Sequence, residues 1–299
     1  MKKYAFKMTA KKTYTLILQN LIVITGLFWS SIAQGQHSQL NQKHQFGIAI
    51  GAGIYSTVGK LPLEMEKKGQ AGFSLEADYQ YNLAPNWGIS LGIGYEYAQI
   101  QYGKKALENR EEYIDLDGES FTFQYHTQNY RETWSMQQIN LPVMIEYSGA
   151  GKTAFYAKTG IKYSMQLKNE VEMHYSALQT SGYFPQWQLE LTEPEFAGFG
   201  KFDRFSAAKE IKLHNRWAWI AEAGIKQELT SKQKLYIGLY LDLGLNDQSK
   251  AVDKSQSDLL IYNPEPGNAL KPMSLAQTNR KYKSQIKTYA LGIKIKYAF

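Results

Sequence analysis

Cysteine is absent from all 299 residues. That excludes a disulfide scaffold, a thiolate metal site and a lipid anchor on a processed N-terminal cysteine. Long apolar runs are also missing beyond the first 35 residues, so no later segment can span a bilayer as a helix of ~20 apolar residues. A real charge excess is lacking too. The chain has 34 basic and 27 acidic residues, but the five charges before residue 36 are all lysines, which leaves 29 basic residues against 27 acidic. The basic balance is therefore no argument for a nucleic-acid partner. No HExxH helix, GxSxG elbow or regular ligand spacing occurs, and no cofactor is implied.

What is present begins with an export signal. Lys2, Lys3, Lys7, Lys11 and Lys12 precede an apolar run through Leu21-Ile22-Val23-Ile24 to Phe28-Trp29, then Ser30, Ser31, Ala33 and Gly35. This charged, apolar, small-residue order predicts a cleaved signal peptide over 1–35, with cleavage before Gln36. An uncleaved anchor helix fits less well, since Gln19 and Asn20 interrupt a run that is already short. Residues 36–45 are expected to form a short periplasmic segment.

From residue 46 onward the chain alternates with period two. Eight strands are predicted: Phe46 to Tyr55, Gly72 to Asn82, Gly88 to Tyr102, about 133–148, about 153–168, about 216–229, about 234–246, and a last one ending at Phe299. Each reaches the ~9–11 residues of a tilted transmembrane strand. The connections alternate between short turns (82–87, 148–152, 230–233) and long polar segments (56–71, 103–132, 169–215, 247–284). That asymmetry, with no helical span available, predicts an all-β fold: an eight-stranded antiparallel transmembrane barrel over 46–299 with short periplasmic turns and long extracellular loops.

Size decides which face meets lipid. An eight-stranded barrel has room inside only for its own side chains, and the Leu, Ile, Tyr and Trp of the apolar face would overfill it. The opposite face carries glycines and charges of both signs, which can pair when buried. The predicted lumen network is Glu76, Asp78, Glu96, Glu146, Glu222 and Asp242 with Lys158, Lys162, Lys226, Lys294 and Lys296. Aromatic residues at both ends of the apolar face (Tyr79, Tyr81, Trp87, Tyr147, Phe155, Tyr297 and Phe299; Tyr95, Tyr97, Tyr163, Trp217 and Trp219) suit two interfacial belts. A soluble lipocalin-like barrel would place no value on such belts.

The segment Ile139-Asn140-Leu141-Pro142-Val143-Met144-Ile145-Glu146-Tyr147 resembles the I-x-[IL]-P-[LV] strand of the Bacteroidota outer-membrane barrels called PorT-like. Phe155 to Tyr163 is similar to the strand that follows it there. The resemblance implies a fold and an outer-membrane location but no single activity. It also implies that the barrel-insertion machinery reads the terminal strand through Tyr297 and Phe299. Pro142 lacks the N–H that a closed sheet needs, so a local bulge is expected there.

Candidate chemistry is sparse. His126, His174 and His214 fall in long loops, with Glu170, Glu172 and Glu210 nearby, as chance would allow in polar loops. Alternation over Glu119–Trp134 and at Val171, Met173 and Tyr175 suggests that the central hairpin continues beyond the bilayer. The aromatic stretch from Tyr183 to Phe202 is either a contact surface for a protein or glycan partner or a lid over the barrel mouth. The expected role is non-enzymatic, structural or interactive through the outer loops. The alternatives are a small channel, an accessory to protein secretion, and a rim hydrolase. Outer-membrane lipid is the expected surrounding.

Overall fold

The computed structural model describes residues 43–58, 62–252, 258–265, 268–278 and 286–299. The predicted signal peptide and residues 36–42 of the predicted periplasmic segment lie outside them, while His44 and Gln45 of that segment already belong to the first strand. Fourteen strands are described: β1 (His44–Val58), β2 (Glu66–Ala84), β3 (Trp87–Lys104), β4 (Leu107–Ile114), β5 (Ser120–Thr127), β6 (Asn129–Ser148), β7 (Thr153–Phe184), β8 (Leu189–Leu191), β9 (Gly200–Glu210), β10 (Arg216–Glu228), β11 (Lys234–Gly244), β12 (Leu260–Tyr262), β13 (Leu270–Pro272) and β14 (Lys287–Ala298). Eight of these form an antiparallel ring in the order β1-β2-β3-β6-β7-β10-β11-β14, and β14 returns to β1. The first and last strands are joined by reciprocal backbone bonds between Phe46 and Phe299, at 3.0 and 2.8 Å.

Alternation assigns the two faces of the ring. Ile48, Ile93, Leu239 and Leu291 are 55–62% exposed on its outside, whereas Glu146, Lys158 and Glu222 are at most 5% exposed within. Rings pair near both limits of the apolar band: Trp87 with Tyr147 and Tyr297 with Phe299 at one end, Phe73 with Tyr95 and Tyr163 with Trp217 at the other.

Above that band the pattern inverts. On β3 the inward series runs from Glu96 to Ala98, Ile100 and Tyr102, and the outward series from Tyr95 and Tyr97 to Gln99 and Gln101. On β6 the inward series passes from Asn140 and Gln138 to Met136, Trp134 and Tyr130, while the outward one becomes Ser135, Thr133 and Arg131. A strand leaving lipid for water must turn its apolar side inward, because burial of apolar surface is what stabilises a sheet in water.

On β7 this inversion requires a shift of parity. Gln138 faces Gln166 while Gln137 faces Lys168, so Leu167 is an extra residue. Ser164 is inside before this bulge; Asn169, Val171, Met173 and Tyr175 are inside after it. A second adjustment at Ala177, with φ of 48°, returns Leu178 and Thr180 to the interior. One added residue exchanges every later side chain between faces.

The bulge expected at Pro142 does not occur. Leu91–Val143 and Gly94–Asn140 keep one register on either side of it, and the β3–β6 ladder is simply open between them. Pro142 still pairs with Lys162 on β7. Its ring occupies space that Gly92 provides, since a Cβ at Gly92 would lie 3.0 Å from Pro142 Cγ. Glycine instead of a bulge accommodates the missing donor.

The long connections are likewise not simple polar loops. β4 and β5 form a hairpin that pairs with β7, β8 and β9 add to its other edge, and β12 with β13 makes a separate small hairpin. Leu259, Leu260, Leu275 and Ala276 of the last connection are buried with Ile100, Tyr102, Trp134 and Met173 in one core.

Candidate functional site

The predicted lumen residues are brought together inside the ring. Lys158 meets Glu146 at 3.2 Å, Lys162 meets Glu96 at 2.9 Å and also Asp242, and Lys296 meets Asp78. Lys294 bridges Glu76 at 3.2 Å and Glu222 at 3.4 Å. Lys226 sits apart, donating to Ser148 Oγ at 3.0 Å and to the Gly149 carbonyl at the periplasmic rim. Tyr297 and Phe299 face outward at that same rim.

Sequence reasoning missed Arg216. It opens β10, is buried, and pairs with Asp242. Six acidic groups thus share the lumen with six basic ones. Tyrosines fill the remaining space: Tyr156 donates to Glu222 at 2.7 Å, and its ring end occupies the position a Cβ on Gly238 would take. A cavity of about 30 Å³ lies among Ser74, Glu96, Asn140, Lys162 and Lys294, room for roughly one water molecule.

The outer mouth is closed by a second device. Glu132, fully buried on β6 above the apolar band, accepts from Tyr130 Oη at 2.5 Å, Trp134 Nε1 at 2.6 Å, Ser274 Oγ at 2.6 Å and the Leu275 amide at 3.0 Å. Burial pushes its carboxyl above the usual range, and these donors oppose the rise. Asp258 accepts from Asn109 and, at 3.0 Å, from Tyr125 Oη. Asp247 accepts from the Ser249 and Ile286 amides. Three carboxylates therefore tie described parts of the last connection: Glu132 holds Ser274 and Leu275, Asp258 meets the β4–β5 hairpin, and Asp247 holds Ser249 and Ile286. Neither Glu132 nor Asp258 stood out in the sequence; Tyr130-x-Glu132-x-Trp134 on one strand face was the available signal.

The aromatic stretch divides between packed and exposed rings. Phe184 stacks on Phe121 and Phe199 on Tyr262, whereas Trp187 and Phe196 face water. The histidines do not converge. His126 lies 3.7 Å from Glu108 on the β4–β5 hairpin, and His174 lies 3.7 Å from Glu172 on β7, each exposed. Ser206 on β9 lies opposite His174 on β7. Among the described residues no cluster of three or more His, Cys, Asp or Glu is placed to hold a metal.

Residues 32–250 match the family model described as outer membrane protein beta-barrel domain. That is well over half of the chain, and the chain belongs to this family. It is an integral outer-membrane β-barrel protein. The match is to the barrel domain as a whole and does not resolve a PorT-like branch. No curated protein matches the chain in sequence. Among solved structures, Neisserial surface protein A is 8% identical over 84% of this chain and 95% of its own, with a TM-score of 0.32. OprG from Pseudomonas aeruginosa is 11% identical over 86% and 99%, with a TM-score of 0.33. A major outer membrane protein from Thermus thermophilus is 13% identical over 86% and 100%, with a TM-score of 0.35. The family assignment rests on the family model alone.

Proposed function

We propose that the protein is a closed, non-enzymatic outer-membrane anchor that displays a folded extracellular β-platform as an interaction surface. The observation that carries this reading is the double closure: an ion-paired lumen around a cavity for about one water, under an apolar core to which Glu132 ties Ser274 and Leu275. Sustained conduction needs a continuous aqueous path, and small barrels filled by their own side chains lack one. The platform of β4, β5, β8, β9 and the upper parts of β6 and β7 is then the part available to partners.

Planar-bilayer recordings of the refolded protein are expected to show no unitary conductance; reproducible open steps would overturn the closed-anchor reading. Proteoliposomes that adhere to none of a panel of immobilised extracellular proteins and polysaccharides would contradict the surface role.

A further inference from the structure

A large concavity among the described residues lies outside the lumen. A groove of about 1130 Å³ lies on the solvent face of the platform, walled on one side by the Thr192–Phe196 segment. Strand register builds its floor. Glu108 on β4 lies opposite His126 on β5, His126 opposite Gln179 on β7, and Gln179 opposite Lys201 on β9. One step along the strands, Arg110 lies opposite Gln124 and Gln124 opposite Ser181, whose hydroxyl donates to Glu190 at 2.8 Å. With strands ~4.8 Å apart, these residues make a two-row lattice of polar groups about 14 Å across. They alternate with Tyr125 and Thr180, which are buried on the opposite side.

The chemistry of this floor narrows its ligand. With Glu193 and Glu195 on the wall, the lining holds four carboxylates against two cations, beside side-chain amides, hydroxyls and one imidazole, so donors and acceptors interleave along it. A polyanion would meet twice as many carboxylates as cations, and a polycation laid along the floor would meet Arg110 and Lys201. A protein partner needs apolar anchor pockets at the centre of its contact, and this floor offers none. An uncharged polyhydroxyl chain both donates and accepts at each ring. The exposed Phe196 on the wall, 77% accessible, supplies an apolar face for the C–H side of a sugar. We propose that the groove binds an uncharged oligosaccharide laid across β4, β5, β7 and β9. This rests on the surface-interaction reading and names its ligand class.

The test uses full-length protein in proteoliposomes on an array of neutral oligosaccharides (gluco-, galacto- and N-acetylglucosamine oligomers), with heparin and polysialic acid as anionic comparators. Binding to neutral members is expected, insensitive to salt, and reduced about tenfold or more in Gln124→Ala/Gln179→Ala and in Phe196→Ala. His174→Ala, on the same platform but outside the groove, should leave it unchanged. Neutral-glycan binding that survives the groove substitutions overturns the site. Capture of only the anionic glycans, with affinity falling as salt rises, overturns the ligand class. Adhesion to immobilised proteins without glycan binding also overturns the proposal while leaving the surface role standing. Adhesion to nothing removes both.

Discussion

Asp242→Ala is expected to destabilise the barrel more than any exposed charge substitution, by about 3–5 kcal/mol. Asp242 is the carboxylate on which Arg216 and Lys162 converge, and all three are nearly inaccessible. Lys162 keeps Glu96 when Asp242 is removed; Arg216 keeps only the Thr288 carbonyl at 3.3 Å. A guanidinium left without its anion in a water-poor lumen bears most of its desolvation cost uncompensated. The exposed Lys168–Glu170 pair, 3.2 Å apart, is the internal comparison, and its loss should cost at most about 1 kcal/mol. Urea unfolding of both variants in bilayers, followed by the shift between folded and unfolded gel mobility, measures the difference. Equal midpoints would show that the lumen pairs contribute nothing.

Glu132→Ala is expected to release the cap from the barrel mouth without expelling the protein from the membrane. Four donors, on Tyr130, Trp134, Ser274 and Leu275, lose their acceptor. Each orphaned buried donor costs on the order of 1–3 kcal/mol, so even two of them outweigh the local stability of a short segment. Amide exchange at 273–278 should accelerate by about a hundredfold or more, with the β1–β14 ladder keeping its protection. Glu132→Gln retains one acceptor oxygen and should fall between the two. Unchanged exchange in the alanine variant would mean that apolar packing alone holds the cap.

These two groups differ in how visible they were before the fold was known. The lumen charges stood on the minor face of clean alternations such as Phe155 to Tyr163, so their sign balance and shared space could be read from spacing. Arg216 could not, because it stands at the first residue of β10, where the alternation has barely begun. The eight membrane strands were legible because lipid outside and charge inside impose opposite chemistry on successive residues. Above the bilayer the two faces exchange chemistry, and β7 adds a bulge at Leu167 and a left-handed residue at Ala177, so period-two reading lost phase there. The cap was hidden for another reason. Leu259-Leu260-Ile261-Tyr262 and Met273 to Ala276 are too short to declare an element, and their burial depends on the wall formed by Trp134, Met173 and Tyr175. The groove follows from register between strands far apart in sequence, which no local pattern encodes.

A cysteine-free chain allows a direct reading of where each face points. Single cysteines placed in turn along 89–101 of β3 and spin-labelled in bilayers report access to oxygen, enriched in lipid, and to a water-soluble nickel chelate. Labels at 89, 91, 93 and 95 should favour oxygen and those at 99 and 101 the nickel chelate, while 90, 92 and 96 reach neither freely. Oxygen access at the even positions instead, or nickel access throughout 89–95, would show that hydrocarbon does not surround the apolar face of this barrel.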